Sequence, residues 1–310
     1  MNVLFLDEVH PHLEAQLRSW GCSVWHDYES STKQLIEKFQ TIQIMVIRSR
    51  VPVDAEFLRS FPNLNCIARS GSGMENIDLE VASQLGVHCF SAPEANKNAV
   101  AEHALGMILS LFNRLPFADA DVRAGHWNRE LFRGEELMGK TVGLIGYGNN
   151  GSAFAEKLRS FGCTILAYDK YKTGFSNDFV QESTMDDLFQ ASDVLSLHIP
   201  QTPETLTLVN TEFISKFEKP FFLINTSRGK IVETKALAEA LKSKKIKGAC
   251  LDVLEYESKS FTKTVIQTPD FEYLINSKQV ILSPHVAGWT HESYWRLSDV
   301  LAKKIKTILA

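Results

Sequence analysis

Several stretches of this chain carry groups that could bind an anion or move a proton. Asn225-Thr226-Ser227-Arg228-Gly229 follows an apolar run, so Arg228 stands where a guanidinium can grip a planar carboxylate with two prongs, a geometry that lysine lacks. Leu251 to Glu257 sets Asp252, Glu255 and Glu257 just past a second apolar run, and Leu282 to Gly288 sets His285 beyond a third. Nearer the start, Arg48 closes another such run, and Arg69 to Asn76 is a glycine-rich turn whose N–H groups, around Ser72 and Gly73, suit a carboxylate. Each has a plain alternative: a capping or surface arginine, solvated turn carboxylates, a hydrogen-bonded loop histidine, a flexible turn. Their shared position at the ends of strand-like runs favours chemistry, because ligands of open α/β sheets collect outside the carboxyl ends of strands.

A further stretch explains what such a site would work with. Val142 to Ile145 breaks into Gly146-Tyr147-Gly148-Asn149-Asn150-Gly151 and then into a helix-like segment, Ser152 to Phe161. The glycines have the G-x-G-x-x-G spacing, in which the first makes the turn, the second admits a pyrophosphate and the third lets helix pack on strand. The run Thr164 to Tyr168 then ends in Asp169, about 20 residues on, where a carboxylate accepts from both hydroxyls of an adenosine ribose. That pattern favours NAD, since Asp169 would repel a 2′-phosphate, with Lys170 and Lys172 partly offsetting it. The alternative for Asp169 is a turn carboxylate at a strand end.

The elements that must carry these residues alternate. Strand-like runs (Val3 to Leu6, Ser23 to Trp25, Ile42 to Ile47, Leu64 to Ala68, Val87 to Phe90) interleave with helical patterns over the first ~90 residues, the mark of a parallel sheet with crossover helices. Two helical stretches follow, Val100 to Leu115 and Phe117 to Ala124, with an aromatic, charged loop around Trp127 and Phe132. From Thr141 the alternation restarts, with strands at Val194 to Leu197, Phe221 to Ile224, Gly248 to Leu251 and Val280 to Leu282. The fold expected is α/β, two doubly wound parallel-sheet domains with a cleft between them. Residues 1–98 with 286–310 form a discontinuous substrate-binding domain, the final helix His291 to Leu309 crossing back, and 99–285 form the nucleotide-binding one. Glu255 to Lys278 lacks clear periodicity and reads as a functional rim or an insertion.

Composition sets limits. A length of 310 residues, 44% hydrophobic and 23% charged, suits about two globular domains, and a net charge of -4 gives no footprint for nucleic acid or an anionic membrane. No run approaches the roughly 18 apolar residues of a membrane span, and the start of the chain lacks a signal-peptide pattern. Five scattered cysteines without a C-x-x-C pair fit a reducing cytoplasm and offer no metal site.

These stretches, with Asn98 to Gly106 and Leu197-His198-Ile199-Pro200, resemble the D-isomer-specific 2-hydroxyacid dehydrogenases over nearly the whole chain. The resemblance implies a catalytic triad of Arg228, Glu257 and His285, with NAD as cofactor and a small 2-oxo or 2-hydroxy acid as substrate. His285 would donate and take back the proton, Glu257 would raise its pKa and orient it, and Arg228 would clamp the substrate. It further implies Ser72, Gly73 and Arg48 at the substrate, Thr226 and Asp252 along the nicotinamide half of the cofactor, and His198 with Pro200 near the adenosine half. The helix near Val100 would be a hinge, and a homodimer is implied. Two positions depart from the family pattern. Asn150 stands where an aliphatic residue is usual, so its amide must find a partner or stay wet, and Ser258 stands where proline is common. A chain ending at Ala310 suggests no appended regulatory domain and hence no serine feedback. The resemblance leaves open a cofactor-sensing corepressor or a formate-dehydrogenase-like enzyme.

Overall fold

The computed structural model describes residues 1–257 and 268–309, so Ser258 lies outside the described residues. The chain divides into two compact units, one of Met1–Asn96 with Trp289–Ala310 and one of Lys97–Gly288. In chain order the first contains β1 (Asn2–Phe5), α1 (His12–Ser19), β2 (Ser23–His26), α2 (Thr32–Lys38), β3 (Ile44–Ile47), α3 (Ala55–Arg59), β4 (Cys66–Arg69), α4 (Leu79–Gln84) and β5 (His88–Phe90). The second contains α5 (Lys97–Phe112), α6 (Leu115–Arg123), β6 (Thr141–Ile145), α7 (Asn149–Leu158), β7 (Thr164–Tyr168), β8 (Gln181–Glu182), α8 (Met185–Ala191) and β9 (Val194–Leu197). It continues through α9 (Thr211–Ser215), β10 (Phe221–Asn225), α10 (Thr234–Lys242), β11 (Ile246–Leu251), α11 (Pro269–Asn276) and β12 (Val280–Leu282), after which α12 (His291–Leu309) belongs to the first unit.

Every strand pair is parallel, which explains why the strands read as continuous apolar runs: both faces are covered. In the first unit the order is β2-β1-β3-β4-β5. Strand residues alternate between two cores, Leu4, Met45 and Ile67 on one face, and Val3, Phe5, Val46 and Ala68 on the other, where α12 adds Leu297, Leu301 and Ile305. In the second unit the order is β12-β11-β10-β9-β6-β7-β8, a doubly wound sheet whose direction of winding reverses between β6 and β9. One face packs Val142, Leu144 and Ile224 against Ala104 and Ile108 of α5 and Phe154 of α7. The other packs Leu195, Leu223 and Leu251 against Leu237 and Leu241 of α10.

Two details differ from the sequence reading. The stretch expected as a helix from Val100 to Leu115 runs from Lys97 to Phe112, and Arg114, in the left-handed region at φ 52°, turns the chain into α6 with Pro116 in its first turn. Within the supposedly aperiodic Glu255 to Lys278, α11 forms because Thr268 caps it, accepting from the Phe271 N–H at 3.2 Å, and Pro269 opens it.

Candidate active site

The glycine turn lies at the carboxyl end of β6, beside the reversal of winding. A Cβ on Gly146 (φ 94°) would stand 2.4 Å from the His198 carbonyl oxygen, and one on Gly151 would stand 2.0 Å from the carbonyl oxygen of Gly146. Those two glycines are required by packing. Gly148 is different: nothing lies within 4 Å of where its Cβ would be. It is also the N-cap of α7 and offers no side-chain cap, so the first-turn N–H groups of a ten-residue helix open onto that space, a ready anion site. Asn150, in the same turn, has a buried Oδ1 without a hydrogen-bond partner, and the Thr226 hydroxyl past β10 is likewise buried and unpartnered.

Asp169, just past β7, accepts from the backbone N–H groups of Tyr147 (2.8 Å), Tyr171 (2.9 Å) and Lys172 (3.0 Å). Burial opposes its charge, but these bonds and the Lys172 ammonium outweigh it and hold the carboxyl below its ordinary range. It is both a turn carboxylate and a tie across the glycine turn. Tyr147 stacks on Phe175 with centroids 4.5 Å apart. His198 turns its ring inward, bonding the buried Ser196 hydroxyl at 2.9 Å and lying 5.4 Å from the Phe154 ring. Burial lowers its pKa to about 4, so it is a neutral packing group under the turn, while Pro200 is exposed.

The acid, base and guanidinium candidates follow adjacent strands: Arg228 after β10, Glu257 after β11, His285 after β12. Asn225, fully buried, builds the first of these loops. Its Nδ2 donates to the Arg228 carbonyl (3.0 Å), and its Oδ1 accepts from the N–H and hydroxyl of Ser227. Gly229 lets this loop touch the next one, since a Cβ there would stand 1.9 Å from the Leu254 carbonyl oxygen. His285 Nδ1 lies 2.7 Å from Glu257 Oε2, and the other oxygen of Glu257 accepts from the Leu254 N–H. A carboxylate only accepts, so the Nδ1 proton belongs to this bond and Nε2 is the nitrogen through which the ring would exchange a proton.

Asp252 holds the histidine loop. Its Oδ1 accepts from the Ser283 hydroxyl (2.6 Å) and the Val286 N–H (2.9 Å), its Oδ2 from the Ala287 N–H (2.8 Å), and its carbonyl from the His285 N–H (2.8 Å). These bonds keep His285 in the left-handed region at φ 55°, which costs a non-glycine residue of order 1–3 kcal/mol. The carboxylate expected along the nicotinamide half of the cofactor thus accepts three hydrogen bonds within the protein.

In the first unit, Arg48 lies 4.1 Å from the centroid of the Trp289 ring, and its N–H donates to Asp7 at 2.6 Å. Burial lowers the guanidinium pKa against the opposing charges of Asp7 and Tyr294. The Ser72 hydroxyl bonds Asn96 Oδ1 at 2.9 Å, and Gly73 follows in the same loop. The roles of Asn225 and Ser283 as organisers were not read from the sequence, and Glu255, one of the acidic candidates past β11, accepts from the Thr234 N–H at 2.8 Å at the start of α10. For Asn225 a visible cue existed, an amide ending an otherwise apolar strand.

Known proteins resemble this chain over nearly its whole length. Residues 105–287 match the family model described as "D-isomer specific 2-hydroxyacid dehydrogenase, NAD binding domain". The chain is 33% identical over 310 residues, 99% of its length, to D-3-phosphoglycerate dehydrogenase of Mycobacterium tuberculosis, of which it spans only 57%. It is 34% identical to hydroxypyruvate reductase of Thermotoga maritima over 88% of its own length and 86% of that protein. Among solved structures, D-lactate dehydrogenase from Aquifex aeolicus, complexed with NAD and lactic acid, superposes with a TM-score of 0.83 at 28% identity, covering 100% of this chain and 95% of that one. The first-ranked curated relatives are nearly twice as long as the matched part, so the chain spans about half of them. The matched family model and these identities establish that the chain belongs to the D-isomer-specific 2-hydroxyacid dehydrogenase family.

Proposed function

We propose that this chain is an NAD-dependent D-2-hydroxyacid dehydrogenase that interconverts a small 2-oxo acid and its 2-hydroxy acid. The observation that carries the reading is the 2.7 Å contact of His285 Nδ1 with Glu257, one strand away from the loop of Arg228. A dinucleotide fits the residues present: the open space at Gly148, the uncapped start of α7, and the unpartnered Asn150 and Thr226 oxygens. When bound, the nicotinamide supplies or accepts the hydride.

The chain's own residues do the rest. Arg228 grips the substrate carboxylate and fixes the reacting carbon, and His285 Nε2 gives a proton to the carbonyl oxygen on reduction and recovers it on oxidation. Glu257 keeps the proton of the far nitrogen and so fixes the ring's tautomer and direction. Ser72, Gly73 and Arg48 are proposed as further substrate contacts, Tyr147 and Asn149 as part of the glycine turn around the pyrophosphate, and Asp169, His198 and Pro200 as surroundings of the adenosine half. NAD is favoured over NADP because Asp169 is held ionised, and the two lysines that could offset it are engaged, Lys170 by Glu204 and Lys172 by the Tyr147 carbonyl at 3.2 Å. A homodimer is supported by α6, which buries none of its residues, and by Leu115, Trp127, Leu131 and Met138, exposed large apolar side chains on and after it. A cytoplasmic setting is supported by five free cysteines.

The test is NADH consumption by purified protein against hydroxypyruvate, glyoxylate, pyruvate, 2-oxoglutarate, phenylpyruvate and 3-phosphohydroxypyruvate, repeated with NADPH. Turnover with NADH is expected, and His285→Ala should abolish it with NADH binding retained. Silence across the panel with NADH bound would favour a cofactor-sensing role.

A further inference from the structure

Asp252 is 1% exposed, and its carboxylate is reached from outside the histidine loop by a side chain that the mechanism above does not use. His103, on α5, has Nε2 2.8 Å from Ser283 Oγ and 3.6 Å from Asp252 Oδ1. One turn further along α5, the Met107 sulfur lies 3.8 Å from the same hydroxyl. The proton count fixes the direction of these bonds. Ser283 Oγ is 2.6 Å from a carboxylate oxygen that only accepts, so the serine proton goes to Asp252. The serine oxygen is then the acceptor for His103, whose Nε2 must carry a proton. The result is a directed chain, His103 Nε2–H to Ser283 Oγ–H to Asp252, ending on the carboxylate that also receives the Val286 and Ala287 N–H groups.

We propose that His103 is a positioning residue for His285, acting through the Ser283 hydroxyl on the Asp252 carboxylate. The physical need is clear from the backbone. His285 is held at φ 55°, and its N–H is bonded to the carbonyl of the same Asp252. A rotation of the Asp252 side chain would release two N–H groups of the loop and let His285 relax toward ordinary backbone angles, swinging its ring away from Glu257. Ser283 alone leaves that rotation open, since a hydroxyl turns freely about its C–O bond. With His103 donating to it, the hydroxyl has one orientation. Helix α5, packed on the sheet through Ala104, Ile108 and Leu111, thereby becomes the rigid support of the proton donor.

This inference rests on the proposed dehydrogenase reading, and its test separates the two. Three variants of the full chain are compared: His103→Leu, which removes the donor; His103→Gln, whose amide can still donate at similar reach; and Ser283→Ala, which breaks the relay while leaving His103 in place. On a turned-over 2-oxo acid, His103→Leu and Ser283→Ala should lower kcat about tenfold or more with KM and NADH affinity within about twofold, and His103→Gln should recover most of the loss. A second readout needs no turnover. In 15N-histidine spectra the proton shared by His285 and Glu257 gives a downfield resonance, identified by its loss in His285→Ala. It should exchange faster in His103→Leu and Ser283→Ala and persist in His103→Gln. An inactive wild type with this spectral pattern would sink the dehydrogenase reading and keep the positioning role. Unchanged kcat and unchanged exchange in both His103→Leu and Ser283→Ala would overturn the positioning role, as would folded His103→Gln behaving like His103→Leu. Should His103→Leu fail to fold, Ser283→Ala decides by the same criteria.

Discussion

Arg228 differs from the other basic residues of the chain in how it is delivered. It sits between a buried asparagine that binds its carbonyl and a glycine pressed on the Leu254 carbonyl, so its backbone has little freedom. A lysine there would keep the charge and lose the two-pronged grip. Arg228→Lys is expected to lower kcat/KM by about 100-fold with an unchanged thermal midpoint, read by steady-state kinetics and calorimetry. Asn150 makes the opposite case. Its buried, unpartnered Oδ1 costs about 1–3 kcal/mol in the ligand-free chain, so Asn150→Ile should raise the unfolding free energy by that order in urea titrations. If the oxygen serves the dinucleotide, the same variant weakens NADH binding. Both residues were legible as candidates in the sequence. The burial of the Asn150 oxygen and the packing of the Gly229 position on the Leu254 carbonyl were not, because both depend on segments that only the folded sheet brings close.

At the scale of elements, the turn between β6 and α7 separates glycines that pack from one that binds. Gly148→Ala adds a methyl group to open space and should leave stability within about 0.5 kcal/mol while lowering NADH affinity at least about tenfold. Gly146→Ala and Gly151→Ala drive a methyl into carbonyl oxygens at 2.4 Å and 2.0 Å and should destabilise the fold by several kcal/mol. Thermal unfolding with NADH titration distinguishes the three. Equal loss of stability in all would remove the assignment of Gly148 to the pyrophosphate. The G-x-G-x-x-G spacing announces the turn, whereas α11 is announced by its Thr-Pro-Asp start, a capping signal that hydrophobic periodicity does not carry.

At the scale of the whole molecule, His198 links stability to pH. Its folded pKa is lowered to about 4 by burial, against 6.5 when exposed. Between those values the unfolded chain binds a proton that the folded chain refuses, so the contribution is fully present above pH 6.5 and is lost as pH falls toward 4. Its size is on the order of 3 kcal/mol. Urea midpoints at pH 7 and pH 4.5 should show a loss that is smaller in His198→Gln; equal losses would show that acid sensitivity arises elsewhere. Sedimentation should find a dimer, and Trp127→Glu, changing a side chain 79% exposed in the single chain, should weaken it. A monomeric wild type at micromolar concentration would rule the dimer out.

By itself the sequence determined what depends on short range: the alternation of strand and helix, the glycine turn with its acidic residue 20 positions on, and the set of arginine, glutamate and histidine past successive strands. Period and turn chemistry are local properties, and they survive without a folded chain. The tertiary structure decided which polar groups meet. It made Asp252 the clasp of the His285 loop and Asp169 a tie across the glycine turn, faced His198 inward, and brought His103 to Ser283 across 180 residues. Those pairings follow from the strand order β12-β11-β10-β9-β6-β7-β8 and from helices laid on both sheet faces. A buried donor or acceptor finds its partner among spatial neighbours, and no spacing along the chain specifies them.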